Sequence, residues 1–142
     1  MSLLSADRCG EPQAVVSHES ALSVHGMSDA NPARIHLTVP PRYRKQMPPG
    51  VVLHKASLSS IDWEQREGYR VTTPLRTILD TAATPTSWPY LTDAVYDALR
   101  KGLVRASQLA LTANEESNKE VQKWLLSALE VAEQRIARLV GR

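Results

Sequence analysis

Arg34-Ile35-His36-Leu37-Thr38-Val39-Pro40 alternates apolar and polar side chains, with Ile35, Leu37 and Val39 on one face and Arg34, His36 and Thr38 on the other. That period of two is the signature of a half-buried strand, and Pro40-Pro41 ends it. Val51 to Ala56 is a second β-prone run. The eleven residues Pro40 to Gly50 join the two runs, carrying Arg42, Tyr43, Arg44 and Lys45, and the spacing predicts an antiparallel hairpin with this basic set at its tip. Tyr69 to Thr72, after Gly68, reads as a third short strand, which suits a small sheet.

Helices flank the strands. Ser17 is placed to cap a short helix from Ser17 to His25, with Glu19 in its first turn and Gly26 as its left-handed stop. His18, Ala21, Leu22 and His25 follow the i, i+3, i+4, i+7 spacing of an inward face. Thr73 caps a second helix that opens on Pro74, where a missing N–H costs nothing, and Leu75, Ile78, Leu79 and Ala82 form its apolar stripe. Leu91, Ala94, Val95 and Ala98 mark a third, stopped at Gly102, and a short helix is expected around Ser107 to Ala113. Ser117 and Glu120 have capping-box spacing ahead of Val121, Trp124, Leu125, Ala128, Ala132 and Ile136, which predicts a terminal helix of about twenty residues. The expected fold class is α+β, a small mostly antiparallel sheet packed by helices, with a long C-terminal helix. Residues 1–14 read as a flexible arm and 15–142 as a single module.

Composition fits one folded domain: 142 residues, 42% hydrophobic and 23% charged. The net charge of +2 implies no nucleic-acid partner by itself, but its distribution is uneven. Met1 to Ala33 holds one arginine against four acids, net −3, whereas Arg34 to Arg70 holds seven basic residues against three acids, net +4. The single cysteine, Cys9, has no internal disulfide partner, which is compatible with a reducing cytoplasm. Nothing resembles a signal peptide or a run of eighteen apolar residues, so the expected location is cytoplasmic, without a membrane span.

Several residue sets could in principle carry chemistry. His18 and His25 lie seven residues apart, about 10.5 Å along a helix, too far for the i, i+4 ligand pairs typical of zinc helices. Structural, hydrogen-bonded histidines are therefore expected, with His36 and His54 completing the four in the chain, and no metal or cofactor. Ser17 and Ser20 occupy helix-start positions instead of a constrained nucleophile turn, so Ser, His18, His25 and Asp80 make no hydrolase triad. Arg76 and Asp80 form an i, i+4 pair whose ordinary role is a helix salt bridge. Asp62 and Glu64 have no lysine at the offset of a (D/E)xK nuclease motif, and Lys55 follows Leu53 two positions earlier. Arg42, Tyr43, Arg44 and Lys45 are the candidate contact for a partner or nucleic acid, set against the ordinary role of charges in a solvated turn.

Three segments in order, Ser17-His18-Glu19-Ser20-Ala21-Leu22 with His25-Gly26, then Ile35 to Pro40, then Val71-Thr72-Thr73-Pro74-Leu75-Arg76-Thr77-Ile78-Leu79-Asp80, carry a family resemblance over roughly Val15 to Leu109. The chain resembles the module that follows the DNA-binding head in AbiEi-type antitoxins, the transcriptional regulators of type IV (abortive-infection) toxin-antitoxin pairs. The resemblance implies a non-catalytic antitoxin role against a nucleotidyltransferase-like toxin, neutralised without a stable complex. It also implies that a winged helix-turn-helix head reads the operator. About fifteen residues precede the first matching helix, too few for that head, so specific DNA binding by this chain alone is not expected. Within this pattern Ser17, His18, Ser20, His25, Gly26, His36, Thr73, Pro74, Arg76 and Asp80 are the motif residues, expected to act structurally. Two alternatives stay open: a nuclease-like domain related to restriction endonucleases, and a protein-interaction or dimerisation module built on the terminal helix. The sequence leaves the oligomeric state open.

Overall fold

The computed structural model describes residues 14–140; the expected N-terminal arm, with Cys9, lies almost wholly outside the described residues. The fold is α+β. Strand β1 (Val15–Val16) leads directly into α1 (His18–His25), followed by β2 (Ile35–Val39), β3 (Val51–Lys55), β4 (Trp63–Arg66) and β5 (Tyr69–Thr72). Helix α2 (Pro74–Ala82), a 3₁₀ segment (Pro85–Tyr90), α3 (Leu91–Arg100), α4 (Ala106–Glu115) and α5 (Lys119–Val140) complete it. The strands form one sheet in the order β3-β2-β1-β5-β4.

The sheet is mixed, which corrects the expectation of a mostly antiparallel one. β1 runs antiparallel to β2 and β4 antiparallel to β5, but β1 and β5 are parallel, as are β2 and β3. The expected hairpin between β2 and β3 is therefore a crossover: Ile35 faces Val51 and Val39 faces Lys55, so the chain from Pro40 to Gly50 retraces the length of β2 before β3 begins. The Ile35 N–H donates to the Gly50 carbonyl at 2.9 Å and fixes that return. The physical reason lies in Tyr43 and Met47. Both pack, as Val51 and Leu53 do, against the buried cluster of Ala14, Leu37 and Val39, so the connecting segment covers an apolar sheet face that a hairpin would leave exposed to water.

β4 and β5 form the tight hairpin of the molecule, turned at Glu67-Gly68 with Gly68 at φ +86°. A left-handed backbone at such a two-residue turn is open to glycine at no steric cost. Helix α2 follows at once, its first turn closed by the Thr73 hydroxyl accepting from the Arg76 N–H at 3.2 Å, with Pro74 at the first helical position. The start of α2 therefore has the Thr73 cap and the Pro74 position expected from the sequence.

The main core is helical. Leu22 and Met27 from the α1 end, Ile78 and Ala82 from α2, Leu91, Ala94, Val95 and Ala98 from α3, Leu109 and Ala113 from α4, and Leu125, Ala128 and Ala132 from α5 form one buried cluster. Each fully buried Leu, Ile, Val or Met side chain of this cluster stabilises the fold by about 1.5–3 kcal/mol. Trp88 of the 3₁₀ segment stacks on Trp124 at 4.3 Å and donates its indole N–H to the Ala82 carbonyl at 2.8 Å, tying α2 to α5. One cap differs from expectation. The start of α5 is held by Asn118, whose side-chain oxygen accepts from the N–H groups of Glu120 and Val121 at 3.0 and 3.2 Å, and not by Ser117. Among the described residues, no helix is long and apolar enough to cross a membrane.

Candidate functional site

The three motif segments meet where α1 leaves the sheet. Ser17 stands at the N-cap position with an extended backbone, φ −147° and ψ 179°, and its carbonyl accepts from the Ala21 N–H at 3.2 Å. Its hydroxyl makes no cap bond, contrary to the sequence reading. It is drawn to the sheet instead: Thr38 Oγ1 donates to Ser17 Oγ at 2.7 Å, and Ser17 Oγ lies 2.8 Å from His18 Nδ1. Accepting from Thr38 leaves Ser17 Oγ both a proton and a lone pair, so it can donate to or accept from Nδ1 according to the His18 tautomer. The helix consequently begins at His18, which adopts the left-handed φ of +53°. A non-glycine residue there costs about 1–2 kcal/mol, held in place by the surrounding hydrogen bonds. The Ser20 hydroxyl accepts from the His36 N–H at 2.8 Å, and the His36 carbonyl accepts from the Ser17 N–H at 3.0 Å, so α1 and β2 are stitched at two points.

Three histidine rings stack in this corner. His18 and His54 lie face to face with centroids 3.5 Å apart and planes 12° from parallel; His36 lies 5.2 Å from His54 at 17°. His36 Nδ1 and His54 Nε2 share a hydrogen bond of 3.0 Å. Burial lowers the pKa of His18 from 6.5 to about 3, with further lowering from His54, His36 and Arg76. Burial also lowers His36 and His54, opposed in both by Glu19. Neutral rings stack without charge repulsion, and that is the state this geometry favours. Zinc ligands must aim nitrogens at one point about 2.0–2.1 Å away, whereas stacked faces aim them in parallel. No group of three or more potential ligands among the described residues is arranged to hold a metal.

On α2, Arg76 Nε donates to Asp80 Oδ1 at 3.0 Å, the expected i, i+4 pair. Burial raises the Asp80 pKa from 3.8 to about 6 despite Arg76, which pulls it down, and Asp80 Oδ2 is buried without a partner. The Thr77 hydroxyl lies 2.7 Å from Thr72 Oγ1 and donates to the Thr73 carbonyl at 2.7 Å, fastening α2 to the end of β5. At the far end of α1, His25 Nε2 donates to the Thr72 carbonyl at 2.7 Å while Arg66 donates to His25 Nδ1 at 3.3 Å. Gly26, at φ +65°, ends the helix, and Lys101 Nζ donates to its carbonyl.

Ser17, His18, Ser20 and His36 thus converge in one cluster; Thr73, Pro74, Arg76 and Asp80 organise the start of α2; His25 and Gly26 close the other end of α1. The sequence reading did not anticipate Thr38 and His54 as members of that cluster, nor Glu19 accepting from the Ser87 hydroxyl at 3.0 Å. The available signal was the alternation of the two strands, since the register pairs Thr38 with His54.

Arg42, Tyr43, Arg44 and Lys45 lie elsewhere, on the crossover that covers the opposite sheet face. They are not at a hairpin tip. With Pro40 they line a shallow cleft of about 250 Å³, the two arginines and the lysine exposed and Tyr43 half-buried. The acids considered for a nuclease are engaged locally: Asp62 Oδ2 accepts from Ser59 N and Oγ at 2.9 and 3.1 Å, and Glu64 pairs with Arg66 at 3.1 Å.

A solved structure described as the RV2827C protein from Mycobacterium tuberculosis shares this fold, with a TM-score of 0.59 and 16% identity over 84% of this chain. The match covers 48% of that protein, so the present chain spans about half its length. No curated protein sequence matches the chain well enough to count as a relative. The family model described as the AbiEi antitoxin C-terminal domain matches residues 13–135, well beyond the Val15 to Leu109 of the sequence resemblance. The chain belongs to the AbiEi antitoxin C-terminal domain family.

Proposed function

We propose that residues 15–142 form a single antitoxin module of a type IV toxin-antitoxin regulator, working without catalysis in the cytoplasm against a nucleotidyltransferase-like toxin. The observation that carries this reading is the family match running from residue 13 to residue 135, nearly the whole described chain. Its polar cluster supports a structural role: the Ser17, Ser20, His18, His36 and His54 groups spend their hydrogen bonds on one another and on the backbone that joins α1 to the sheet. The exposed cations Arg42, Arg44 and Lys45, with Tyr43 beside them, supply the contact surface for an acidic partner or a phosphate backbone. Cations of this kind contact phosphate and not base edges, so DNA binding through them is weak, sequence-independent and strongly salt-dependent.

The test is co-expression with a nucleotidyltransferase-like toxin encoded beside this chain. The proposal expects growth to recover without a stable toxin complex on affinity purification. Persistent growth arrest at full levels of folded protein contradicts it. So does metal-dependent cleavage of nucleic acid that disappears in Asp62→Ala or Glu64→Ala.

A further inference from the structure

We propose that β3 is a docking edge, where an extended acidic segment of a partner protein adds to the sheet as a further strand beside Val51–Lys55. β3 ends the sheet and pairs only with β2. In a parallel pair, successive residues of a strand alternate between turning their N–H and C=O toward the neighbour and turning them away. The Ile35 N–H donates to the Gly50 carbonyl at 2.9 Å and the Ala56 N–H to the Val39 carbonyl at 3.1 Å, which with the register gives Val52 and His54 to β2. The backbone groups of Val51, Leu53 and Lys55 therefore point out of the sheet, about 6.6 Å from one residue to the next. They have no hydrogen-bond partner among the described residues.

Open edges are normally blunted by charge, proline or a bulge. β4, at the other end of the sheet, fits that rule, with Glu64, Gln65 and Arg66 in a strand of four residues. β3 does not. It reads Val-Val-Leu-His-Lys, and its first four residues are half-buried. Strand addition uses such an edge: backbone bonds hold the guest, and side chains select it.

Charge selects the guest here. No acid stands between Asp29 and Asp62, a stretch that carries Arg34, Arg42, Arg44, Lys45 and Lys55. Lys55 pairs in register with Val39, on the face that the Tyr43 segment covers, so a guest residue opposite Lys55 also looks toward the side of the exposed Arg44 and Lys45. Two copies joined β3 to β3 would bring two such acid-free segments together without a countercharge, whereas carboxylates on a guest strand supply it. An acidic guest rests on the contact role proposed above for the crossover cations; the open edge stands independently of it.

Amide hydrogen exchange by NMR on the full chain tests this, with a synthetic peptide of about eight alternating glutamates and valines, long enough to span β3. In the free chain the Val51, Leu53 and Lys55 amides should exchange fast, and those of Val52, His54 and Ala56 slowly. Saturating peptide should slow the first set at least about tenfold, and a lysine-valine peptide should not. The triple variant Arg44→Glu/Lys45→Glu/Lys55→Glu, with its fold checked by circular dichroism, should reverse that preference. A glutamate-valine peptide methylated on every backbone nitrogen keeps its charges but offers no donors, and should not bind. Binding that survives this methylation leaves the cations as a contact surface and overturns strand addition. No protection at millimolar peptide overturns the proposal as well. Protection of Val51, Leu53 and Lys55 without peptide also contradicts it, showing the edge covered by a second copy if it grows with protein concentration and by the chain itself if it does not.

Discussion

Asp80→Asn should uncover an acid sensitivity that the native chain largely hides. His18 has its pKa lowered from 6.5 to about 3 when folded, so between those values the unfolded chain binds the extra proton. Stability from His18 is complete above 6.5 and falls as pH drops, by about 2 kcal/mol between pH 7 and pH 5. Asp80 acts in the opposite sense. Its folded pKa is raised from 3.8 to about 6, so the folded chain holds a proton that the unfolded chain has released. That contribution is present at low pH and is lost as pH rises through 6; going from pH 7 to pH 5 it returns about 1 kcal/mol. The two terms offset one another in the native protein. The amide of asparagine cannot titrate but can still accept from Arg76, so the variant keeps the His18 loss without the compensation. Urea melts of both proteins at pH 7, 6 and 5 give the required quantity, the difference between their stability changes over that interval. It should be about 1 kcal/mol, with Asp80→Asn the more acid-sensitive, and the lowered pKa values of His36 and His54 cancel because both proteins share them. Parallel pH profiles for the two proteins would refute the reasoning, since Asp80 would then carry no proton in the folded state at pH 5.

Removing the Thr73 hydroxyl in Thr73→Ala should cost about 1 kcal/mol by denaturant melt, because it caps the first turn of α2; an unchanged midpoint would count against the cap. Asn118→Ala should cost a similar amount, about 1 kcal/mol, while Ser117→Ala should stay within about 0.5 kcal/mol, and a reversed order in thermal melts would return the cap of α5 to Ser117. Replacing Arg42, Arg44 and Lys45 together by glutamate should leave the melt nearly unchanged yet abolish salt-sensitive association with nucleic acid in a filter-binding assay. A triple variant that binds like the native chain would make this segment an ordinary solvated crossover.

Much of the fold was legible because local rules and packing agreed. The apolar stripe of α3, the Thr73-Pro74 start of α2 and the Gly26 stop of α1 each state their structure in a few residues. What escaped the sequence depends on partners distant in the chain. The direction of β3 relative to β2 is decided by Tyr43 and Met47 finding Leu37 and Val39, and both residues sit in a stretch that reads as turn. β4 escaped because Trp63-Glu64-Gln65-Arg66 is mostly polar and takes its conformation from pairing with β5. Ser17 looked like a cap because serine at that position usually is one; here Thr38, twenty-one residues away, supplies a better-placed hydroxyl. The same limit applied to the histidines. Spacing along α1 speaks to His18 and His25 alone, and only the strand register brings His54 onto the face of His18.

The central claim is that the motif cluster builds the module and performs no chemistry, so antitoxin activity should depend on it only through folding. Its most direct test is toxin neutralisation in cells by Ser17→Ala, His36→Asn and His54→Asn, each measured beside the folded fraction of the same protein at the growth temperature. The account predicts that rescue follows the folded fraction across all three, and that any variant retaining native stability protects as well as the native chain. A variant that is folded, stable and present at native levels yet fails to protect would contradict it and make that side chain a functional group.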